Sequence, residues 1–540
     1  MCEKRQVLLV GLAEEGRPVR VRILLAGVLL AGAALVAAAE PVAGRPRETP
    51  AERIARETVA AVRASELAGL TTSLAPAPRR QAVAGPLSGR WTTCQLPEGF
   101  NPVHASVLPD GTVLLMAGSG NDPAEFAAGH FRSYIFSPDT CSTVPLPTPG
   151  DLFCSVHAML PNGNILVAGG TKHYDPFYGL RTSYEYDWLN KRFIRGPLMA
   201  GGGRWYPGAT QLGSGEVFVL SGLNGAGALN TQPEVYHPAA RTWSVTPYRL
   251  SVPTYPHMLP TAGGRLFFTG VAFGGSAVRV GFLRPLTGSF QQVSGLDTNR
   301  RDEGASFFVP FSQGRKVMVA GGAGVATTAL VDLYSSANPV YRAGPSLDGP
   351  RKYLSHATLF DGRVLLAGGQ DPQNSPVFTA QLYRPISNRL ELVASTSAAH
   401  QYHSNMWVDR TGRAVLVGGN PARGSVQRLV ERFEPWYMDV PDRPQITSAP
   451  ATIAHNQPFT ARVQLASGTT LKHLRVFRLN STTHQFGAAE GDFTLTAMTT
   501  PTGAGWSLTT SPNLTPPGYY YLVAVDSRDV PSDAKIIKVT

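Results

Sequence analysis

Seven times between residues 108 and 419 the chain repeats one phrase, and nothing else in it restricts the fold as strongly. The copies are "LPDGTVLLMAG" (108–118), "LPNGNILVAGG" (160–170), "LGSGEVFVLSG" (212–222), "LPTAGGRLFFTG" (259–270), "SQGRKVMVAGG" (312–322), "LFDGRVLLAGG" (359–369) and "DRTGRAVLVGG" (409–419). Each is a tight turn, Asp-Gly or Asn-Gly or an equivalent, then a short apolar strand, then a glycine pair or its variant. Such a turn in front of such a strand is a hairpin signal. One hairpin cannot bury both its faces, so copies at a regular spacing must cover one another. With 56 Gly, 44 Pro and only 16% charged residues, the 540-residue chain reads as turn-rich and largely β.

A period near fifty that ends in a double glycine is the kelch signature, in which each repeat forms one four-stranded blade. Seven blades closed into a ring leave no exposed sheet edges. The expected fold is therefore all-β: a seven-bladed kelch-type β-propeller over 89–438, then an immunoglobulin-like β-sandwich over 441–540. The second assignment rests on short strands such as "FTARVQL", "LRVFRL", "FTLTAM", "WSLTT" and "YYYLVAV". Residues 40–88 are a spacer rich in Ala, Arg and Pro, with "AERIARETVAAVRASELAGL" expected to be helical. Residues 1–39 hold a basic flank followed by "ILLAGVLLAGAALVAAAEPVAG", the layout of a secretory signal, with an uncleaved membrane anchor as the alternative. Either places the body outside the cytoplasm, secreted or anchored, and the anchor is the only membrane contact expected. The net charge of +11 comes from scattered Lys and Arg with no basic stripe, so nucleic acid is not an expected partner. Oligomeric state is not legible here.

Cysteines in an exported protein usually pair. Cys2 precedes the apolar segment, which leaves Cys94, Cys141 and Cys154, an odd number. Cys94 and Cys141 flank the first repeat, and the sequence leaves open whether they pair. The repeat itself suggests another use for Cys154. It lies eight residues before its turn residue Asn162, just as Tyr206 lies eight before Ser214 and His403 eight before Thr411. Equal offsets mean equal places in the blade, so these side chains gather at one end of the ring. The same offset elsewhere holds Pro102, Tyr255, Ala305 and Tyr353. Tyr255 and Tyr353 are read as packing residues. Tyr402 lies beside His403, but neighbours on a regular strand point to opposite faces, so both reach one site only if the backbone twists there.

Phenolate oxygen and imidazole nitrogen suit copper(II), which favours tetragonal N,O surroundings. Tyr206, Tyr402 and His403 are three such ligands, and His484, in the "NSTTHQF" loop of the last domain, is the candidate fourth.

The segments "DLFCS", "GGGRWYPGATQL", "HQYHSNMWVDRTGRAVLVGGNP", "STTHQF" and "PPGYYYLVAVDSRDVPSDAKIIKV" resemble, in this order over roughly 90 to 540, the motifs of the copper radical oxidases, the galactose oxidase and glyoxal oxidase family. The resemblance implies a thioether between Cys154 and the ring of Tyr206, and one copper ion held by Tyr206, Tyr402, His403 and His484. Tyr206 would carry the radical, and Tyr402 would be the axial ligand that accepts the substrate proton. Together these would oxidise a primary alcohol or aldehyde with O2 and release hydrogen peroxide. Phe153 would pack on the thioether.

Two departures shape what to expect. The tryptophan that covers the crosslinked ring in galactose oxidase falls, by the same count, on Asn224, so the cover must come from elsewhere; Trp205 is read either as a residue around the site or as plain core. Where galactose oxidase has a substrate-binding arginine this chain has Pro256, closer to the glyoxal oxidase type, and residues 40–88 are too short for a sugar-binding front domain. Small aldehydes or primary alcohols, including glycan termini, are the expected substrates. Two other readings compete: a non-catalytic propeller that binds glycan or protein, and a copper site without a radical.

Overall fold

The structure is a computed structural model that describes residues 88–274, 279–298, 301–487, 491–500 and 503–540. The expected export segment (1–39) and all of the spacer but residue 88 lie outside the described residues. No described helix is long and apolar enough to cross a membrane.

The molecule is built almost entirely of β-strands. Each repeated phrase forms the second strand of an antiparallel sheet, from Val113–Gly118 in the first to Ala414–Gly418 in the seventh. These strands are buried along almost their whole length, which is why they read as unbroken apolar runs. The strand before each of them comes first in its sheet: His104–Val107, Ser155–Met159, Gly208–Gln211, Met258–Pro260, Ala305–Phe308, Ser355–Thr358 and Ser404–Val408. Several of these first strands touch the next, and His104–Val107 touches both Ser155–Met159 and Ser404–Val408. Among the described residues there are thus seven such sheets, one per repeat.

Two departures from simple repetition position the site. In the seventh sheet the outermost strand is not the next piece of chain but Arg90–Gln95, which pairs antiparallel with Leu429–Glu434. The strand that precedes the first repeat therefore completes the last sheet. A disulfide reinforces this junction by tying Cys94 of that strand to Cys141 at the outer hairpin of the first sheet, with the Cα atoms 6.4 Å apart. In the first sheet, two further strands join from the far end of the chain: Ser481–Thr483 pairs with His104–Val107, and Phe486–Gly487 pairs with Ser481–Thr483.

The residues from Gln445 onward form a five-stranded sheet around Leu471–Arg478 and Gly518–Asp526, with two- and three-stranded sheets beside it. Its core is continuous with that of the repeats: Phe477, Tyr521 and Val523 share one buried cluster with Phe360 and Trp407. Arg478 bonds Gln211, and Arg475 donates to the carbonyl of Phe360 at 3.1 Å. A shared apolar core with buried polar ties does not behave as a hinge.

The disulfide closes a loop 47 residues long. Replacing Cys141 with Ser is expected to lower the stability of the sheet assembly by about 4 kcal/mol on loop-entropy grounds. Urea denaturation of the variant against the wild type under non-reducing conditions measures this.

Candidate metal centre

Cys154, Tyr206, Tyr255, Tyr353 and His403, all at the same offset from their turns, share one backbone state. Their φ angles are +57°, +66°, +39°, +59° and +65°, in the left-handed region that non-glycine residues seldom enter. Each such residue costs roughly 1–2 kcal/mol in backbone strain. The geometry explains why the cost is accepted. In the segments 152–155 and 401–404, the fourth N–H bonds the first carbonyl at 3.1 Å, so Phe153–Cys154 and Tyr402–His403 occupy the corners of tight turns. A positive φ at the second corner residue turns two successive side chains to the same side, the twist that a site using both Tyr402 and His403 requires. Their rings stack with centroids 3.7 Å apart.

Backbone bonds join these positions from sheet to sheet. The Tyr206 N–H donates to the Cys154 carbonyl at 2.9 Å, and the Tyr255 N–H donates to the Tyr206 carbonyl at 3.0 Å. The glycine pairs allow this crowding. A Cβ at Gly170 would lie 2.2 Å from the Asp151 carbonyl oxygen, and one at Gly118 would lie 2.4 Å from the Phe153 nitrogen.

His484 arrives from the last domain. Thr483 pairs with Phe486 across two residues, His484 and Gln485, whose φ angles are +49° and +60°. That is the two-residue turn with both centres left-handed that Asn-Gly usually supplies. The tip is seated by His356 Nε2 on the Gln485 carbonyl at 3.2 Å and by His257 stacked on Phe486 at 4.6 Å.

The two candidate imidazoles are held in matching tautomers. His403 Nδ1 lies 2.6 Å from Asn420 Oδ1, an acceptor, so it carries the proton; His403 Nε2 is buried with no hydrogen-bond partner. His484 Nδ1 lies 2.6 Å from Thr483 Oγ1, whose own proton goes to the Val103 carbonyl, so this Nδ1 also donates. His484 Nε2 faces the Tyr206 hydroxyl at 3.1 Å. The two imidazole planes are nearly perpendicular, with centroids 4.8 Å apart. Burial pulls the His403 pKa down to about 3, partly opposed by its bond to Asn420. The His484 pKa is depressed by burial first and then by nearby His403, His104, His157 and His257. Both rings are neutral near neutrality, as metal ligands must be. An orphaned buried Nε2, a second Nε2 against a phenol, and Tyr402 stacked on His403 make an N,O donor set that fits copper(II). Cys154 Sγ belongs to the same constellation: one atom each of Cys154, His403 and His484 lie within 4.8 Å of one another.

Tyr206, His403, His484 and Cys154 are fully buried, and Tyr402 is 3% exposed. All five sequence-derived site residues therefore converge. Tyr255 donates its hydroxyl to the Ser155 carbonyl at 2.8 Å while its ring stacks on His484 at 4.2 Å, the packing role expected of it. Tyr353 lies between Phe273 and Tyr402. Phe153 sits edge-on to His403.

The cover missing at Asn224 is supplied by Trp205. Its indole stacks on the Tyr206 ring at 4.1 Å and 20°, and Phe177 stacks on its outer face at 4.2 Å and 9°. Asn224 instead closes a turn, its Oδ1 accepting from the N–H groups of Ala226 and Ala228. Pro256 packs against Gly208.

Sequence reasoning missed Asn420, Thr483, Phe273 and Asp151. A signal for one of them was present: the residue just after the repeat's terminal glycine is Ser119, Thr171, Gln370 and Asn420 in four repeats, all polar. Ser119 bonds Asp151, Thr171 bonds the Phe153 carbonyl, and Asn420 bonds His403.

Groups that fix a ligand's tautomer typically contribute about 10–100-fold to metal affinity. Asn420→Ala and Thr483→Val are each expected to weaken copper binding within that range without unfolding the protein, as read by chelator competition.

The chain has relatives with this architecture. Residues 443–539 match the family model described as "Galactose oxidase-like, Early set domain". The chain is 25% identical over 498 residues to a galactose oxidase of Gibberella zeae, an alignment spanning 84% of this chain and 71% of that one. It is 23% identical over 525 residues to the aldehyde oxidase GLOX of Vitis pseudoreticulata, covering 84% of this chain and 97% of the relative. Among solved structures, a fungal alcohol oxidase of the AA5 family in complex with copper superposes with a TM-score of 0.71 at 18% identity, over 84% of this chain and the whole of the other. With its ligand constellation and its relatives in agreement, the chain is similar to the copper radical oxidases, the family of galactose oxidase and glyoxal oxidase.

Proposed function

We propose that this protein oxidises small aldehydes or primary alcohols, glycan termini included, with O2 to give hydrogen peroxide, using a Cys154–Tyr206 thioether radical at a copper centre. The observation that carries the reading is the orphaned, fully buried Nε2 of His403, aimed into the same constellation as His484 Nε2, the Tyr206 hydroxyl and Tyr402. Tyr206, Tyr402, His403 and His484 would hold the metal. Copper, when bound, polarises the substrate oxygen and is the second one-electron centre of a two-electron oxidation.

The protein's own residues supply the rest. Cys154 and Tyr206 join by a bond from Sγ to a ring carbon, the thiol hydrogen and one ring hydrogen leaving as two protons and two electrons that reduce O2 to hydrogen peroxide. The phenolate of Tyr402 takes the substrate hydroxyl proton, and the Tyr206 radical takes a hydrogen atom from the substrate carbon. The two electrons and two protons removed reduce O2 to hydrogen peroxide. Trp205, sandwiched between Tyr206 and Phe177, screens the radical from water. The near-complete burial of the ligands, the aromatic wall of Tyr255, Phe273 and Tyr353, and Pro256 in place of a cationic sugar-binding residue favour a small substrate. The working unit takes 89–438 as the propeller and 441–540 as the domain that lends His484, exported by the 1–39 segment.

A second reading has one observation in its favour. The Cys154 thiol lies close enough to both imidazoles to ligate a metal directly. Mass spectrometry separates the two. Copper loading in air is expected to lower the intact mass by two hydrogens and to join the tryptic peptides of Cys154 and Tyr206; unchanged mass and separate peptides would leave Cys154 as a ligand. In the loaded protein, peroxide release is expected with small aldehydes and primary alcohols and is expected to be lost in Cys154→Ser and Tyr206→Phe. Trp205→Phe is expected to form the thioether normally but to shorten the radical's lifetime several-fold, as followed by optical decay.

A further inference from the structure

Beside the metal centre, a chain of three hydroxyl and carboxyl groups leads inward from the edge of the aromatic cluster. The Tyr174 hydroxyl lies 2.6 Å from Ser119 Oγ, and Ser119 Oγ donates to Asp151 Oδ2 at 2.8 Å. Serine has one proton, and here it points at the carboxylate. Tyr174 must therefore donate to Ser119, so both protons of the chain point toward Asp151. Asp151 is buried, and its other oxygen accepts from the N–H groups of Ser119 at 2.7 Å and Phe153 at 3.1 Å. Burial raises its pKa to about 7, against those bonds, so near neutrality it can accept or return a proton.

The Tyr174 ring is also connected to Tyr206. It lies 4.8 Å from Phe177, which stacks on Trp205 at 4.2 Å, which stacks on Tyr206 at 4.1 Å. Tyr174 is 8% exposed whereas Trp205 and Tyr206 are fully buried, so of the three only Tyr174 keeps accessible surface. The Arg423 guanidinium lies 5.8 Å from the Tyr174 ring. That guanidinium is paired with Asp175, but a phenol radical cation is itself a strong acid, so an electron leaves Tyr174 together with its proton.

We propose that Tyr174 is a second redox-active tyrosine, which carries single electrons between Tyr206 and oxidants in solution while its proton moves through Ser119 to Asp151. The proposal rests on the reading of Tyr206 as the radical residue. An outer-sphere one-electron oxidant takes an electron from Tyr174, whose proton passes to Ser119 as the Ser119 proton passes to Asp151. The neutral Tyr174 radical then regains an electron from the deprotonated, crosslinked Tyr206 by way of Trp205, and the protons return along the same path. Tyr206 is left as the radical, and the oxidant is reduced by one electron.

Tyr174→Phe removes the hydroxyl, and Ser119→Ala breaks the proton path while leaving Asp151 its backbone bonds. In copper-loaded protein whose thioether has been verified by mass, ferricyanide is expected to form the Tyr206 radical about tenfold more slowly or worse in both variants than in the wild type. Copper content and thermal midpoint serve as controls for folding. Rates in both variants within about twofold of the wild type would overturn the proposal. If the wild type forms no thioether, the reading of Tyr206 has failed, and the metal-free protein decides Tyr174 separately. Flash oxidation with photoexcited ruthenium tris-bipyridine and ferricyanide is expected to give a neutral tyrosyl signal in electron paramagnetic resonance. One component of that signal is expected to disappear in Tyr174→Phe and to weaken several-fold in Ser119→Ala; an unchanged spectrum in Tyr174→Phe rejects the proposal.

Discussion

The centre depends on two residue pairs in which the last domain adds a strand to the first repeat: Thr482 opposite Ala105 and Ser481 opposite Ser106. Through this short ladder a hairpin from nearly 380 residues away enters between the first strands and presents His484 beside Tyr206. Backbone pairing is directional and its register is discrete. A slip by one residue would turn His484 away from Tyr206 and His403. The shared apolar core of Phe360, Trp407, Phe477 and Tyr521 holds the domains while the ladder sets the register.

Around that insertion the repeats store strain. The left-handed residues Cys154, Tyr206, Tyr255, Tyr353 and His403 each oppose folding modestly, and they persist because neighbouring sheets bond across them and the glycine pairs admit them. The same strain aims side chains that a regular strand would send to opposite faces. Repetition spreads the device over five of the seven repeats, and the chemistry varies by the residue placed there. In the seventh repeat the polar residue after the glycine pair, Asn420, supplies the partner that orients His403.

The repeat architecture, the all-β class and the convergence of Cys154, Tyr206 and His403 were legible because a period converts distance along the chain into position in the repeat, whereas Tyr402 depended on the twist beside His403. His484 was legible only as a histidine in a loop, since no offset relates the last domain to the ring. Trp205 could not be separated from an ordinary core tryptophan, because stacking between adjacent residues depends on the φ of Tyr206 rather than on composition. Asn420 stands at a recurring polar position of the repeat, but Thr483 has no such signal, because a tautomer-fixing partner outside the repeat is whatever acceptor the fold brings to Nδ1. Cys94 and Cys141 flank the first repeat in sequence, but they pair because the chain's first strand joins the seventh sheet.

By itself the sequence determined the local material: hairpins of a set length, apolar strands buried on both faces, glycines where segments must touch, and side chains able to bind copper at one phase of the repeat. These follow from short-range sterics and from burial, which act within a few residues. Only the tertiary structure decided which side chains meet across long separations: His484 with Tyr206, Trp205 over Tyr206 rather than any residue at position 224, and the Tyr174–Ser119–Asp151 chain. Those contacts join segments whose proximity depends on strand pairing between distant parts of the chain, and such pairing is a property of the whole assembly of sheets.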